Sequence, residues 1–195
     1  MTTLSVPLLS PLRFAVNEAV ELIDLTLADP AAVADYYRRN RRHLAQSMPR
    51  RSDAFFTLAQ WQGQTTAYRA GGPGLSELRL VLRAGALVIG TVNFSQIFRG
   101  GFQACYLGYG LDEAWQGRGL MRTAVRLGRD FVIEGLGLNR IMANHLPENA
   151  RSARLLTSLG FEREGLARRY LEIDGVWRDH VLTSYVRPAP VPPAG

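Results

Sequence analysis

A chain of 195 residues, 47% of them hydrophobic, is long enough for one domain with a real core, and it has no apolar run of the roughly 18 residues that a membrane span needs. All 23 basic residues are arginine against 17 acidic ones, so the net charge is +6 and no lysine can act as nucleophile or Schiff base. The arginine fork suits anions, so the balance favours an anionic cofactor or an RNA-rich partner, while the single cysteine, Cys105, excludes an internal disulfide and fits a reducing cytoplasm.

The first 14 residues, MTTLSVPLLSPLRF, lack the basic start and cleavage site of a secretory signal and read as a flexible leader. AVELIDLTL (19–27) alternates like a strand. PAAVADYYRRNRRHL (30–44) reads as a helix capped by Asp29 with Pro30 in its first turn. Its arginines, 38–42, suit either the wet face of a helix or a nucleic-acid patch. Residues 53–70 read as a second helix despite Gly63, and AGGPG (70–74) as a loop. Residues 77–97 give two strands turning at Ala84–Gly85, and 102–112 a third. Leu120, Ala124, Leu127 and Phe131 mark a helix over 117–135 that ends at Gly135. A strand (139–146), a helix (148–160) and a hairpin turning at Asp174–Gly175 complete the pattern. The domain spans 1–187, and the proline-rich 188–195 reads as a disordered tail. Antiparallel strands followed by a strand–helix–strand crossover imply an α/β fold: a mixed sheet of about seven strands with helices on both faces.

WQGRGLM (115–121) carries the most chemistry. It follows a strand and opens a helix, where the first backbone N–H groups have no internal partner and the helix dipole is positive. Gly117 and Gly119 let the backbone curl close to a phosphate. It is neither a Walker loop nor a dinucleotide fingerprint, and two glycines before a helix also suit a plain loop.

LGYGLDEAWQGRGLM, followed by ENARSARLLTSLGFEREG, resembles the GCN5-related N-acetyltransferase (GNAT) superfamily. That family's phosphate loop, Gln/Arg-x-x-Gly-x-Gly/Ala, reads Gln116 and Gly119 here, with Met121 where glycine or alanine is usual. Its second element reads Asn149 to Gly160–Phe161. NFSQIFRGGFQACYLGYGLD, RIMANHLPENARS and YLEIDGVWRDHVLTSY are most similar to the RimJ-type ribosomal-protein alanine N-acetyltransferases, over roughly residues 88–185.

The resemblance implies a GNAT fold whose fourth and fifth strands, 102–112 and 139–146, splay apart. It implies acetyl transfer from acetyl-CoA to the α-amine of an N-terminal alanine on a small-subunit ribosomal protein, by direct attack in a ternary complex. The pyrophosphate would sit on the amides of Gln116, Gly117, Arg118, Gly119, Leu120 and Met121, beside Leu111, with charge from Arg118 and Arg122; Asn149, Arg151 and Arg154 would meet the rest of the cofactor. Strand amides would hold the oxyanion. Many relatives place a tyrosine acid where Leu156 stands; the N-x-x-S pattern moves that role to Ser152, whose alternative is a first-turn serine bonding backbone.

The base is open. Tyr106 replaces the glutamate of several relatives. Asn144 holding a water, His145 if the register slips by one, and Glu77 are the alternatives. Trp177, Arg178 and Asp179 on the last hairpin, with Met48, Phe55 and Phe56, either line a peptide groove or pack. Cys105 has no activating histidine beside it and reads as a buried structural thiol. His43, His145 and His180 lack metal spacing, so no metal is expected. Two rival functions remain: a small-molecule amine or antibiotic acetyltransferase on the same fold, and a ribosome- or RNA-binding assembly factor using the Arg38–Arg42 cluster.

Overall fold

A computed structural model of the chain describes residues 10–189. The expectations for 1–9 of the leader and 190–195 of the tail lie outside the described residues. In chain order the elements are β1 (Arg13–Ala15), β2 (Val20–Asp24), α1 (Pro30–Arg39), α2 (Arg41–Ala45), α3 (Leu58–Ala70), β3 (Leu78–Ala84), β4 (Leu87–Phe98), β5 (Ala104–Leu111), α4 (Leu120–Asp130), β6 (Arg140–Met142), α5 (Ala150–Ser158), β7 (Glu162–Ile173) and β8 (Val176–Val186). One sheet takes in all the strands, in the order β1-β2-β3-β4-β5-β6-β8-β7. Only β5 and β6 are parallel neighbours, joined by the crossover through α4.

The sheet has eight strands rather than about seven, and the extra one is β1, inside the segment read as a leader. Three residues are too few for alternation to register. The strand is returned to β2 by a turn in which the Asn17 side chain accepts from the amides of Ala19 and Val20 at 2.9 and 2.8 Å. Asp29 caps α1 as expected, accepting from the Ala31 amide at 2.9 Å. The single helix expected over 30–44 instead breaks at Asn40, whose side chain donates to Tyr36 O and to Asp112, both at 3.0 Å. The second helix starts late, at Leu58, capped by Thr57 after a short 3-10 turn at Asp53–Phe56. Beyond α4 the residues Phe131–Gly135 widen into a π turn.

Helices cover both faces. Trp61, Tyr36 and Tyr37 of α1 and α3 pack on Ile23, Val81 and Val88, with the Tyr37 and Trp61 rings stacked at 4.8 Å. On the other face Ala124, Val125 and Leu156 of α4 and α5 pack on Leu80, Leu82 and Phe94. Alternate residues of β3 thus serve opposite cores, and each fully buried aliphatic side chain contributes about 1.5–3 kcal/mol. Gly128 lets α4 sit on Phe94, since a Cβ there would fall 2.8 Å from the ring.

β5 and β6 pair only at Ala104–Arg140, Cys105–Ile141 and Tyr106–Met142. β5 then continues to Leu111, while the chain after β6 follows β8: Ala143 N donates to Thr183 O at 2.9 Å, and His145 bridges Val181. A wedge therefore opens between the strands beyond Tyr106 and Met142, at the expected place.

Candidate active site

At the wide end of the wedge, β5 ends in Asp112, which is almost fully buried and accepts from Asn40, Arg39 and the Ala114 amide. Burial pushes its carboxyl up, but the Asn40 amide, the Ala114 N–H and the Arg39 guanidinium more than offset that, and the group ends below its ordinary value. A 3-10 turn, Glu113–Trp115, then leads into Gln116 and the glycines. Gly117 and Gly119 have φ of 77° and 72°, left-handed values that favour glycine, and nothing stands within 4 Å of where their Cβ atoms would be. α4 starts with no side-chain cap. Among the described residues the amides of Gly117, Arg118, Gly119, Leu120 and Met121 have no protein acceptor. The side chains of Leu120 and Met121 are buried in the core, so only their backbones face the cradle. Open amides at a helix N-terminus, with no side chain over them, fit an anion such as a pyrophosphate.

The nearby side chains are arranged differently from expectation. Arg118 folds back over the Trp115 ring at 5.0 Å and donates to Ala114 O at 3.1 Å. Arg122 donates to Ser158 Oγ at 3.2 Å, at the far end of α5, and Arg154 is exposed. Arg151 instead meets the loop, donating to Gln116, whose amide also reaches His43 at 2.8 Å and Leu111 O at 3.5 Å. Gln116 thus ties the loop to α2 and α5. The Asn149 carbonyl caps α5, accepting from the Ser152 amide at 3.0 Å. Ser152 Oγ bonds the Tyr109 hydroxyl at 2.6 Å rather than backbone, joining α5 to β5 across the wedge. Burial pushes the Tyr109 phenol up to about 12, although its bond to Ser152 pulls the other way. Leu156 is core.

Strand alternation divides the site in two. Asp112 N donates to Ile89 O at 2.7 Å on the β4 side, whereas Gln103 O accepts from Asn139 N at 2.8 Å on the β6 side. Even positions of β5 therefore bond β4, and the backbone groups of Leu107, Tyr109 and Leu111 face the wedge, where β6 no longer pairs with them. The Tyr109 side chain packs on the α4–α5 face, and Tyr106, Gly108 and Gly110 look the other way, towards α1–α3. There a cavity of about 590 Å³ runs over Gly108 and Gly110, walled by Tyr36, Met48, Trp61 and Asn93. Nothing lies within 4 Å of a Cβ placed on Gly108.

Of the candidate bases, Asn144 occupies the position in the wedge, half-exposed, with its amide donating to the Tyr170 hydroxyl at 3.0 Å. Ala143 and His145 point into the protein; His145 is buried with Nδ1 at 2.8 Å from Leu146 O. Glu77 stands at the head of β3, two strands away, beside Tyr68. Tyr170 was not foreseen. A β7 bulge between Ala167 and Leu171 turns it onto Asn144, with Arg169 at φ 47° and its amide held by Asp179 at 2.8 Å. Burial and the neighbouring Tyr106 hydroxyl push its phenol up, although Asn144 pulls the other way. No short-range pattern signals a partner 26 residues away; Tyr109, 43 residues from Ser152, was missed for the same reason. On the hairpin, Arg178 pairs with Glu148 and Trp177 is exposed, while Asp174 at its turn lines one pocket with Met48, Arg50 and Phe56.

Residues 10–162 match the family model described as "Acetyltransferase (GNAT) domain". The chain belongs to the GNAT acetyltransferase family. This GNAT chain is 41% identical, over 82% of its length and 84% of the relative's, to the [ribosomal protein uS5]-alanine N-acetyltransferase of Escherichia coli. Its fold matches the crystal structure of ribosomal-protein-S5-alanine acetyltransferase from Vibrio fischeri, with a TM-score of 0.82, 38% identity and coverage of 90% and 96% of the two chains. It also matches Mycobacterium smegmatis RimJ in complex with CoA-disulfide, with a TM-score of 0.79, 27% identity and coverage of 91% and 86%. The protein is an acetyl-CoA-dependent N-acetyltransferase.

Other features of the GNAT chain fall into place beside the site. Arg38 and Arg39 pair with Asp35, Arg39 also with Asp112, and Arg41 with Asp53, so most of the arginine cluster is internally neutralised. Cys105 is fully buried, and burial pushes its thiol up to about 12, which removes the thiolate that a nucleophile needs. Among the described residues no group of three or more His, Cys, Asp or Glu could hold a metal, and no helix is long and apolar enough to cross a membrane.

Proposed function

We propose that this enzyme acetylates the N-terminal alanine of a small-subunit ribosomal protein, the homologue of uS5. The carrying observation is the 41% identity to the Escherichia coli uS5-alanine enzyme, which extends over most of both chains. Acetyl-CoA, when bound, supplies the activated acetyl group. The protein's part is to hold and orient. The amides from Gly117 to Met121, with the Gln116 side chain, Arg151 and Leu111 beside them, take the phosphate end, while the Gln116 amide is already held by Glu113 O, and the free backbone edge at Leu107 and Tyr109 aligns the arm and presents an N–H to the carbonyl oxygen. Ser152, backed by the protonated Tyr109, stands ready to donate a proton to the departing sulfur. The acceptor enters from the α1–α3 side, where Asn144, Tyr106 and Tyr170 gather polar groups around the amine. An α-amine titrates near about 7.7–8.0, so part of it is already neutral and a water held by Asn144 is base enough.

We place the reaction in the cytoplasm, which suits a ribosomal target, within the single domain 1–187. The test is direct: CoA release should require both acetyl-CoA and a peptide bearing the uS5 N-terminus, and intact-mass analysis of ribosomal proteins should show a +42 Da shift (about one acetyl group) on that protein only when the enzyme is present. Turnover on polyamines or aminoglycosides with none on peptides would hand the function to the small-molecule reading. Salt-sensitive RNA binding without acetyl-CoA binding would favour the assembly-factor reading.

A further inference from the structure

We propose that the acceptor cavity selects peptides with a carboxylate side chain within about the second to fourth residues, with Arg79 as the anchoring cation; this rests on the N-terminal acceptor proposed above and adds a sequence rule to it. Arg79, Asn93 and Gly108 stand in one row across β3, β4 and β5. The row spans two strand spacings, about 10 Å. An extended peptide covers about 3.3–3.6 Å per residue, so an amine at Gly108 places a side chain about three residues on beside Arg79.

Among the described residues Arg79 pairs with no carboxylate: its guanidinium donates to Gln64 Oε1 at 3.0 Å and lies over the Trp61 ring at 5.4 Å. Of the other half-buried arginines, Arg83, Arg129, Arg140 and Arg178 each hold a carboxylate, Glu21, Asp130, Glu164 and Glu148, and Arg99, away from this cavity, donates to Leu136 O. A half-buried cation without one is costly, and an anion arriving with the ligand removes that cost. Arg50 and Arg51 line the same cavity, neither is in an ion pair among the described residues, and no Asp or Glu lines it. Above Gly110 the buried Tyr36 ring closes the cavity wall beside Thr91. A polyamine acceptor would meet three arginines in the cavity, with the Asp174 carboxylate in the adjoining pocket that shares Arg50 and Arg51.

The experiment compares alanine-terminated peptides carrying Glu, Gln or Lys in turn at positions two, three and four, with saturating acetyl-CoA. At one or more positions kcat/KM for the Glu peptide should exceed that for Gln by about tenfold or more, with Lys below both. Arg79→Gln should bring the Glu-to-Gln ratio to within about threefold. The exposed double variant Arg50→Gln/Arg51→Gln should lower it in part, and keeps the test valid if Arg79→Gln does not fold. Equal turnover of Glu and Gln peptides at every position, or a ratio that survives in every folded variant, overturns the proposal. If no alanine peptide is acetylated at all, the N-terminal acceptor itself falls and takes this rule with it.

Discussion

Met121 stands where relatives of the family carry a small residue, and its environment explains why that is tolerated. Its side chain points into the α4 core, leaving its amide to the cradle. The cradle proposed for the phosphates is a matter of backbone geometry, set by the left-handed φ of 77° and 72° at Gly117 and Gly119. Gly119→Val should therefore raise the Kd for acetyl-CoA at least tenfold, whereas Arg118→Ala, whose guanidinium lies on Trp115, should change it less than about threefold. Isothermal titration checks both, and the reverse order would mean that charge, not the amide cradle, holds the phosphates. For Ser152→Ala the fall belongs in kcat, about a hundredfold, with the KM for acetyl-CoA little moved, because the proposed reaction puts the serine, bonded to Tyr109, at the sulfur rather than at the phosphates. Stopped-flow CoA release under saturating substrates reads this. The Tyr109 phenol, pushed up to about 12, stays protonated throughout the working range, so kcat/KM should climb with pH as the acceptor amine loses its proton and show no falling limb below about pH 10.

At the scale of elements, Asp112 joins three pieces that the sequence shows only separately. It ends β5, accepts from Asn40 and Arg39 at the close of α1, and caps the turn that leads to the phosphate loop. The hydrophobic period over 30–44 predicted one helix; the break at Asn40 comes from this bond to a residue 72 positions away, which no local propensity encodes. Asp112→Asn should cost about 1–2 kcal/mol by urea unfolding at neutral pH, since it removes the charge from a buried acceptor of Arg39 and Asn40, while the exposed Arg39 keeps its pair with Asp35. A carboxyl held below its ordinary value stabilises the fold fully above the unfolded-state value near 3.9, and that contribution is lost as pH falls through the lower folded value. The gap between wild type and variant should therefore narrow from about pH 6 to about pH 3. A gap that stays constant would show that the carboxylate's charge is not what matters.

Over the whole molecule, the sheet separates two substrates. The open amides before α4 and Ser152 lie on the α4–α5 side of β5, and the cavity lies on the α1–α3 side, so under the proposed reaction both substrates are held at once. Initial-velocity lines should accordingly intersect when acetyl-CoA and peptide are varied together; parallel lines would indicate an acetyl-enzyme. Cys105→Ala should keep kcat within about threefold, because the thiol is buried away from the wedge and burial pushes it up to about 12.

The sequence by itself determined the α/β class, the hairpins, the cap at Asp29, the glycine loop before α4 and the membership implied by Gln116, Gly119 and Asn149. These are local signals, carried by periodicity, turn residues and short spacings. The short strand β1, the break at Asn40, the pairing of Ser152 with Tyr109 and of Asn144 with Tyr170, and the true directions of Arg118 and Arg122 were decided only by tertiary structure. Each depends on which strand lies beside which, and on the side chain that a distant segment brings within hydrogen-bond reach. An arginine, for example, can be recognised as cationic from its letter, but whether it meets a phosphate, an aromatic ring or Ser158 depends on neighbours that only the folded chain supplies.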